Sequence, residues 1–384
     1  MLKKLYIEPS SFCNFQCEMC FRNTWFDESF CNLPYHVFEK LIEELPTTVE
    51  TIFFGGMGEP FVHPKILDMI AKCKEKSYQV EILTNGSLLS QEVIAQLIQL
   101  KLNKLWVSID TLESVAIDSR YKAELEATKA LPSATTLGHP NTDEILENIY
   151  QLNRARYRSN STMELGITFV VSKYNVRELA YLPAFISKYM VNDVNISNMY
   201  PSCAEDMEQV LYQRTLDMSI GSDQFGSTRA RVNLPYMDYN EESVQVGLAG
   251  MFGKMNFNLQ VGGVPVPRKS NYCKFVQEGM SFVRSDGEVS PCMALLHNGT
   301  TAIFDKDRII HHHSFGNVKQ ERMIDIWESE AYTEFRKKVE VFAFSPCMTC
   351  GQCDLSDSNQ EDCYGNLAPT CGACLWAEGI LSCP

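Results

Sequence analysis

"LYIEPSSFCNFQCEMCFRN" (residues 5–23) joins a short apolar run to a loop that carries three cysteines. The run LYIEP (5–9) mixes aliphatic and aromatic residues and stops at Pro9 and two serines, which reads as a strand ending in a turn. Five later segments share that character: ETIFF (50–54), QVEIL (79–83), KLWVSI (104–109), ELGITFVV (164–171) and DVNIS (193–197). Helical periodicity fills the gaps between them, at 36–45, 64–76, 91–100, 142–157 and 176–190. Strands alternating with amphipathic helices predict βαβ units and a parallel sheet. Six units are too few for a closed eight-stranded barrel, so the expected fold is α/β, an open or partial (β/α)6 barrel. The irregular stretch 112–141 reads as an insertion before the fourth helix.

The chain has 384 residues, 45 % apolar and 21 % charged, and a net charge of −14. That balance fits a globular protein and argues against a nucleic-acid partner, which calls for a basic patch. The segment before Glu8 is too short for the apolar core of a signal peptide, and no run reaches the roughly eighteen apolar residues of a membrane span. A cytoplasmic location without a membrane partner is the default expectation. Fifteen cysteines then need a purpose other than disulfides, because a reducing compartment favours metal binding or thiol chemistry.

Cys13, Cys17 and Cys20 are spaced x3 and x2, in the first βα loop. Parallel α/β folds gather their chemistry there. Thiolates suit zinc or iron–sulfur clusters. A closed structural site takes four protein ligands, whereas three on a four-iron cubane leave one iron open for a ligand. Zinc remains the competing reading of the triad alone.

This Cys-x3-Cys-x2-Cys resembles the signature of the radical S-adenosylmethionine enzymes. The resemblance implies that the open iron of a [4Fe-4S] cluster binds the amino and carboxylate groups of S-adenosylmethionine, with Met19 near the adenine. The second strand runs into Gly55-Gly56-Met57-Gly58-Glu59-Pro60. It is similar to the family's glycine–glycine–glutamate–proline motif with two residues inserted, and implies that Glu59 takes the methionine ammonium. LTNG (83–86) and VSID (107–110) end the third and fourth strands, and by resemblance Asn85, Ser108 and Asp110 contact ribose or carboxylate. By themselves these are turn residues.

From about residue 204 the pattern changes. The expected division is a barrel over 1–203, a bridging region over 204–270 and a cysteine-rich domain over 271–384. Cys273 and Cys292 are separated by x13-Gly287-x4. The tail carries Cys347, Cys350, Cys353, Cys363, Cys371, Cys374 and Cys383, spaced x2, x2, x9, x7, x2 and x8. Repeated Cys-x2-Cys pairs alone suit a zinc ribbon. With the barrel before them, they resemble the SPASM domain, an auxiliary iron–sulfur module. Nine thiolates hold two further [4Fe-4S] clusters with one left over. Cys273 and Cys292 are expected to share one cluster with a tail cysteine, and Cys347, Cys350 and Cys353 to begin the other. The tail departs from the family's spacing, which leaves the ligand sets open. Among the rest, Cys73 reads as core, Cys203 is a catalytic candidate on the substrate side of the sixth strand, and Cys31 has a weaker claim. The histidines at 311–313 read as an exposed turn in preference to a metal site.

The implied chemistry is reductive cleavage of S-adenosylmethionine to a 5′-deoxyadenosyl radical, fed by a low-potential donor such as ferredoxin or flavodoxin. CFRNTW (20–25) and the tail CYGNLAPTCGACLWAEGILSCP (363–384) look most like the maturases of tungsten-cofactor aldehyde oxidoreductases. They imply the oxidoreductase or its cofactor precursor as partner. Two alternatives stand beside this reading. One is a peptide or protein side-chain modifier, although no leader-binding domain is expected before a strand that starts within five residues of Met1. The other is a non-catalytic zinc or electron-transfer protein, which has no use for an open triad beside Glu59.

Overall fold

The computed structural model describes residues 1–109, 142–212, 231–234, 241, 243–244, 258–261, 264–265, 272–303, 306–347 and 353–384. Six parallel strands stand in chain order: β1 (Lys4–Ile7), β2 (Thr51–Phe54), β3 (Gln79–Thr84), β4 (Lys104–Ile109), β5 (Glu164–Val171) and β6 (Asp193–Asn198). Helices α1 (Tyr35–Glu44), α2 (Ile66–Glu75), α3 (Gln91–Gln99), α4 (Thr142–Arg158) and α5 (Leu182–Tyr189) connect them. This is the expected partial barrel. The helix expected over 176–190 is split, with a 3-10 segment at Val176–Tyr181 before α5. Pro183 explains the break, because its ring blocks a continuous α-helical ladder and suits the first turn of a new helix.

Strand periodicity sorts the side chains. Leu5, Ile7, Ile52, Phe54, Val80 and Ile82 face the helices and belong to the main core. Tyr6, Phe53 and Trp106 point the other way, into the barrel, where they meet Phe275, Phe282 and Met293. Gly166 faces Trp106 across β4 and β5, and a Cβ there would lie 2.2 Å from the indole. Gly166→Ala is therefore expected to overpack the barrel floor and destabilise by about 1–3 kcal/mol. A lowered thermal midpoint checks this, and an unchanged one refutes it.

The C-terminal part does not stand apart from the sheet. β10 (Met280–Val283) pairs in parallel with β1, and β11 (Val289–Ser290) extends the same sheet beyond it. Tyr6 and Phe282 stack across that junction at 4.4 Å. On the far side the last residues line the edge of β6: Asn198 Nδ2 donates to Ile380 O at 2.9 Å and Ser382 Oγ to Ile196 O at 3.0 Å. Tyr6 Oη then donates to Pro384 O at 2.5 Å, so the tail reaches from β6 back to β1.

Within the bridging region the described residues form a small sheet of β7 (Arg231–Leu234), β8 (Asn258–Val261) and β9 (Val264–Pro265). A hairpin of β12 (Gly299–Ile303) and β13 (Lys306–Ile310) follows β11. The expected insertion at 112–141 lies outside the described residues. His311, His312 and His313 are half-buried after β13, which corrects the exposed turn. His311 meets Phe26 edge-on, His312 contacts Asn298 and Glu288, and His313 packs on Phe315, so the three rings face different partners. No described helix is long and apolar enough to cross a membrane.

Candidate active site

β1 delivers the cysteine loop to the mouth of the barrel. Ser11 N–H donates to Cys31 O at 3.0 Å and Cys31 N–H to Ser11 Oγ at 2.8 Å, closing the base of the loop. This gives Cys31 a structural position. Inside the loop, Cys20 N–H donates to Cys17 O, and Asn23 Nδ2 donates to the carbonyls of Cys17 and Glu18. Arg22 Nη2 donates to Phe15 O at 2.7 Å. The loop is thus fixed by bonds to its own backbone carbonyls, and Cys13, Cys17 and Cys20 stay half-buried. Met19 is half-buried in the turn between the second and third cysteines.

The glycine-rich loop after β2 lies directly on this cysteine loop. Glu59 N–H donates to Phe12 O at 2.8 Å. Gly58 permits that approach, since a Cβ would lie 2.0 Å from Ser10 O. Gly55 packs on Phe53, Gly56 adopts φ +133° against Glu8, and Pro60 is buried in the first turn after Glu59.

Glu59 is buried, and its carboxylate accepts from Thr84 Oγ1 (2.8 Å), Asn85 N–H (2.8 Å) and Phe61 N–H (3.0 Å). A ligand ammonium would therefore share a carboxylate already oriented by the ends of β2 and β3. Asn85 Nδ2 reaches Asn14 Oδ1 at 3.0 Å and Cys13 Sγ at 3.7 Å, linking the Glu59 side to the cysteine side. Burial raises the Cys13 thiol; Phe15 N–H and Arg22 oppose this, and Glu59 and Cys20 add to it. Thr84 was not expected. It precedes the Asn-Gly turn, and only its burial beneath Glu59 shows its part.

Ser108 is half-buried opposite Thr168 and lies on the barrel-facing side of β4. Asp110 lies outside the described residues. Cys203 starts a 3-10 turn beside the β12–β13 hairpin, where Ala204 N–H donates to Asp307 Oδ1 at 2.8 Å. Burial and then Glu205 raise its thiol, which favours the neutral and less nucleophilic form.

A second polar network was also not expected. Glu8, directly after β1, is buried and accepts from Met57 N–H (3.0 Å) and Ser285 N–H (3.3 Å). His297 Nε2 sits 3.1 Å from both Glu8 oxygens, and its Nδ1 lies 3.1 Å from Glu28 Oε2. Arg284 Nη1 adds a contact to Glu28 at 3.3 Å. Trp25 stacks on the imidazole at 3.9 Å. This network ties the cysteine loop, the glycine-rich loop and the C-terminal module together.

The C-terminal cysteines fall into groups that spacing did not reveal. The thiols of Cys273, Cys292, Cys371 and Cys374 lie close enough to perturb one another. Burial and then Cys374 push the Cys273 thiol up to about 11, and burial with the neighbouring cysteines pushes Cys292 and Cys371 well above the ordinary range. A cavity with mainly apolar walls lies against Cys292, Cys371, Cys374 and Arg308. Cys347 has Cys363 as a neighbour, with Cys353 exposed nearby in sequence, and Cys350 lies outside the described residues. Cys383 sits in the barrel cluster, where Trp376 Nε1 donates to its sulfur at 3.2 Å. Among the described residues every cysteine is free, and no three His, Cys, Asp or Glu side chains close on a single metal ion. Four buried or half-buried free thiols, three of them lining one cavity, suit a cluster that spreads its ligands more widely than one ion does.

Comparison with known proteins places this geometry. The radical SAM superfamily matches residues 7–170, and the SPASM iron–sulfur cluster-binding domain matches residues 273–354. The chain is 30 % identical over 392 residues to the tungsten-containing aldehyde ferredoxin oxidoreductase cofactor-modifying protein of Pyrococcus furiosus, covering 100 % of this chain and 97 % of the relative. It is 21 % identical to the Fe-coproporphyrin III synthase of Methanosarcina barkeri, covering 94 % and 85 %. Among solved structures, native anSMEcpe with bound AdoMet matches with a TM-score of 0.53 at 16 % identity, covering 98 % of this chain and 95 % of that one. Streptococcus suis SuiB bound to precursor peptide SuiA matches with a TM-score of 0.53 at 17 % identity, covering 88 % and 67 %. At these identities the solved structures speak for the fold alone.

Proposed function

The chain belongs to the radical SAM superfamily, as an enzyme with a SPASM-type iron–sulfur module, and from that premise we propose that it matures a tungsten–pterin aldehyde oxidoreductase or its cofactor. The observation that carries this reading is the full-length likeness to a tungsten cofactor-modifying protein, which spans the cysteine loop and the tail alike. A cluster held there would supply reducing electrons to bound S-adenosylmethionine, whose reductive cleavage would supply the means of hydrogen abstraction.

Cys13, Cys17 and Cys20 hold that cluster in this reading. Glu59, oriented by Thr84 and Asn85, takes the ammonium, and Ser108 and Asp110 complete the cofactor contacts. Cys273, Cys292, Cys371 and Cys374 hold one auxiliary cluster; Cys347, Cys350, Cys353 and Cys363 hold a second; Cys383 is the thiol left over. The barrel takes residues 1–203, the bridge 204–270 and the auxiliary domain 271–384. Ferredoxin or flavodoxin serves as donor.

The test is anaerobic reconstitution with iron and sulfide, followed by incubation with dithionite, S-adenosylmethionine and an oxidoreductase expressed without this protein. About twelve irons per chain, 5′-deoxyadenosine that vanishes in Cys17→Ala, and a gain in oxidoreductase activity are expected. Zinc in place of iron, or cleavage with no effect on the oxidoreductase, refutes the corresponding half. Glu59→Gln replaces one acceptor oxygen with an amide that faces donors. It is expected to weaken S-adenosylmethionine binding by roughly tenfold or more, since a charge-assisted bond is worth about 1.5–3 kcal/mol. Equilibrium binding checks this, and wild-type affinity refutes the role of Glu59.

A further inference from the structure

Arg308, in the middle of β13, is 4 % exposed. Its Nη1 donates to Ala373 O at 3.3 Å and its Nη2 to Ser358 O at 3.0 Å. Ala373 lies between Cys371 and Cys374, and Ser358 lies between Cys353 and Cys363. The guanidinium therefore grips one backbone carbonyl in each cysteine group. Among the described residues its Nε is buried without a hydrogen-bond partner, and the side chain lines the cavity shared with Cys292, Cys371 and Cys374. Among the described residues no carboxylate pairs with it. A buried cation with no paired carboxylate is costly, so this charge calls for a negative partner of another kind. The ionisable groups that act on its charge most strongly are the thiols of Cys347 and Cys374, then Tyr200 and the Cys371 thiol.

We propose that Arg308 is a positioning residue for the auxiliary clusters, donating its Nε–H to a sulfur of the Cys273–Cys292–Cys371–Cys374 group and holding that cluster's reduction potential up. This rests on the two-cluster reading above. Reduction adds one negative charge to a cluster. A fixed cation and a hydrogen bond to sulfur stabilise the reduced form more than the oxidised one. The charge stands between both groups, so only the hydrogen bond from Nε distinguishes the Cys273–Cys292–Cys371–Cys374 group and makes its cluster the easier one to reduce.

The experiment is a redox titration of the anaerobically loaded protein, followed by electron paramagnetic resonance, for wild type, Arg308→Met and Arg308→Lys, with iron counted in each. Loss of charge and donor in Arg308→Met is expected to move one auxiliary midpoint to more negative potential and leave the Cys13–Cys17–Cys20 cluster's midpoint unchanged. Arg308→Lys, which keeps the charge, is expected to recover part of the shift. Full iron with an unmoved auxiliary midpoint in Arg308→Met overturns the proposal, as does a lysine variant shifted as far as the methionine one. If Arg308→Met fails to load its auxiliary irons, Arg308→Lys decides: restored loading with an intermediate midpoint supports the proposal, and failed loading overturns it. A wild-type iron count too low for two auxiliary clusters instead refutes the cluster reading itself.

Discussion

His297→Ala is expected to destabilise the protein by about 3–5 kcal/mol, the range for breaking a buried ion pair by removing one partner. The imidazole is 3 % exposed and stands between Glu8, 1 % exposed, and Glu28. Glu28 keeps Arg284 after the substitution, but among the described residues Glu8 keeps only the N–H groups of Met57 and Ser285. The uncompensated charge is therefore at Glu8, directly under the glycine-rich loop. Burial alone would lower the His297 pKa, but Glu8 and then Glu28 outweigh it and raise it to about 9.

The sign of the pH dependence follows from that shift. An unfolded histidine titrates near pH 6.5, so the imidazolium's stabilisation is complete below about that value and is lost as pH rises towards 9. Burial pushes Glu8 and Glu28 up, yet His297 and the backbone donors hold both below the ordinary value. Their contribution is present above about pH 4.5 and lost as pH falls. The stability gap between wild type and His297→Gln should thus shrink by about 3 kcal/mol between pH 6 and pH 9. Denaturant titrations at the two values measure it, and an equal gap at both refutes a charged His297.

The parts of the fold legible in the sequence were the local ones. The six barrel strands end within two residues of the segments marked by their apolar runs, because each carries its own period and is closed by its own turn. β10 has a good strand composition in Met280–Val283, but its partner β1 lies at the other end of the chain, and no local pattern announces that pairing. The same holds for the site. Glu59 stands out as a candidate because a glycine-rich turn after a strand frames it, whereas Thr84, its buried hydrogen-bond donor, carries no such frame. The Glu8 network draws no reading either, because its partner His297 is 289 residues away. The tail cysteines show this most clearly. Spacing set Cys371 and Cys374 apart as another Cys-x2-Cys pair, and only the fold returns both to Cys273 and Cys292. Arg308 carries no motif at all; its meaning lies in what it is buried against.

Gly58→Ala is expected to empty the first cluster site and leave the auxiliary ones loaded. A Cβ at Gly58 would lie 2.0 Å from Ser10 O, 2.7 Å from Phe12 O and 2.9 Å from Ser10 C. All three atoms are backbone, so no side chain can rotate away. The loop holding them is closed by the Ser11–Cys31 clamp, so it cannot retreat without breaking those bonds. The strain falls on the bond from Glu59 N–H to Phe12 O, and Glu59 is itself tied to Thr84 and Asn85. Relief requires the glycine-rich loop and the cysteine loop to separate, which draws Cys13 away from Asn85 and Glu59. Overpacking typically costs about 1–3 kcal/mol, and a contact against fixed backbone belongs at or beyond the top of that range. Iron is expected to fall from about twelve to about eight per chain, as one four-iron cluster is lost. 5′-Deoxyadenosine formation should drop by roughly a hundredfold or more, the size of effect that a misplacement of about 1 Å can have. Full iron loading with wild-type cleavage would show that the two loops need no contact at Gly58. Iron lost from all sites would show that Gly58 serves the fold at large and not this junction.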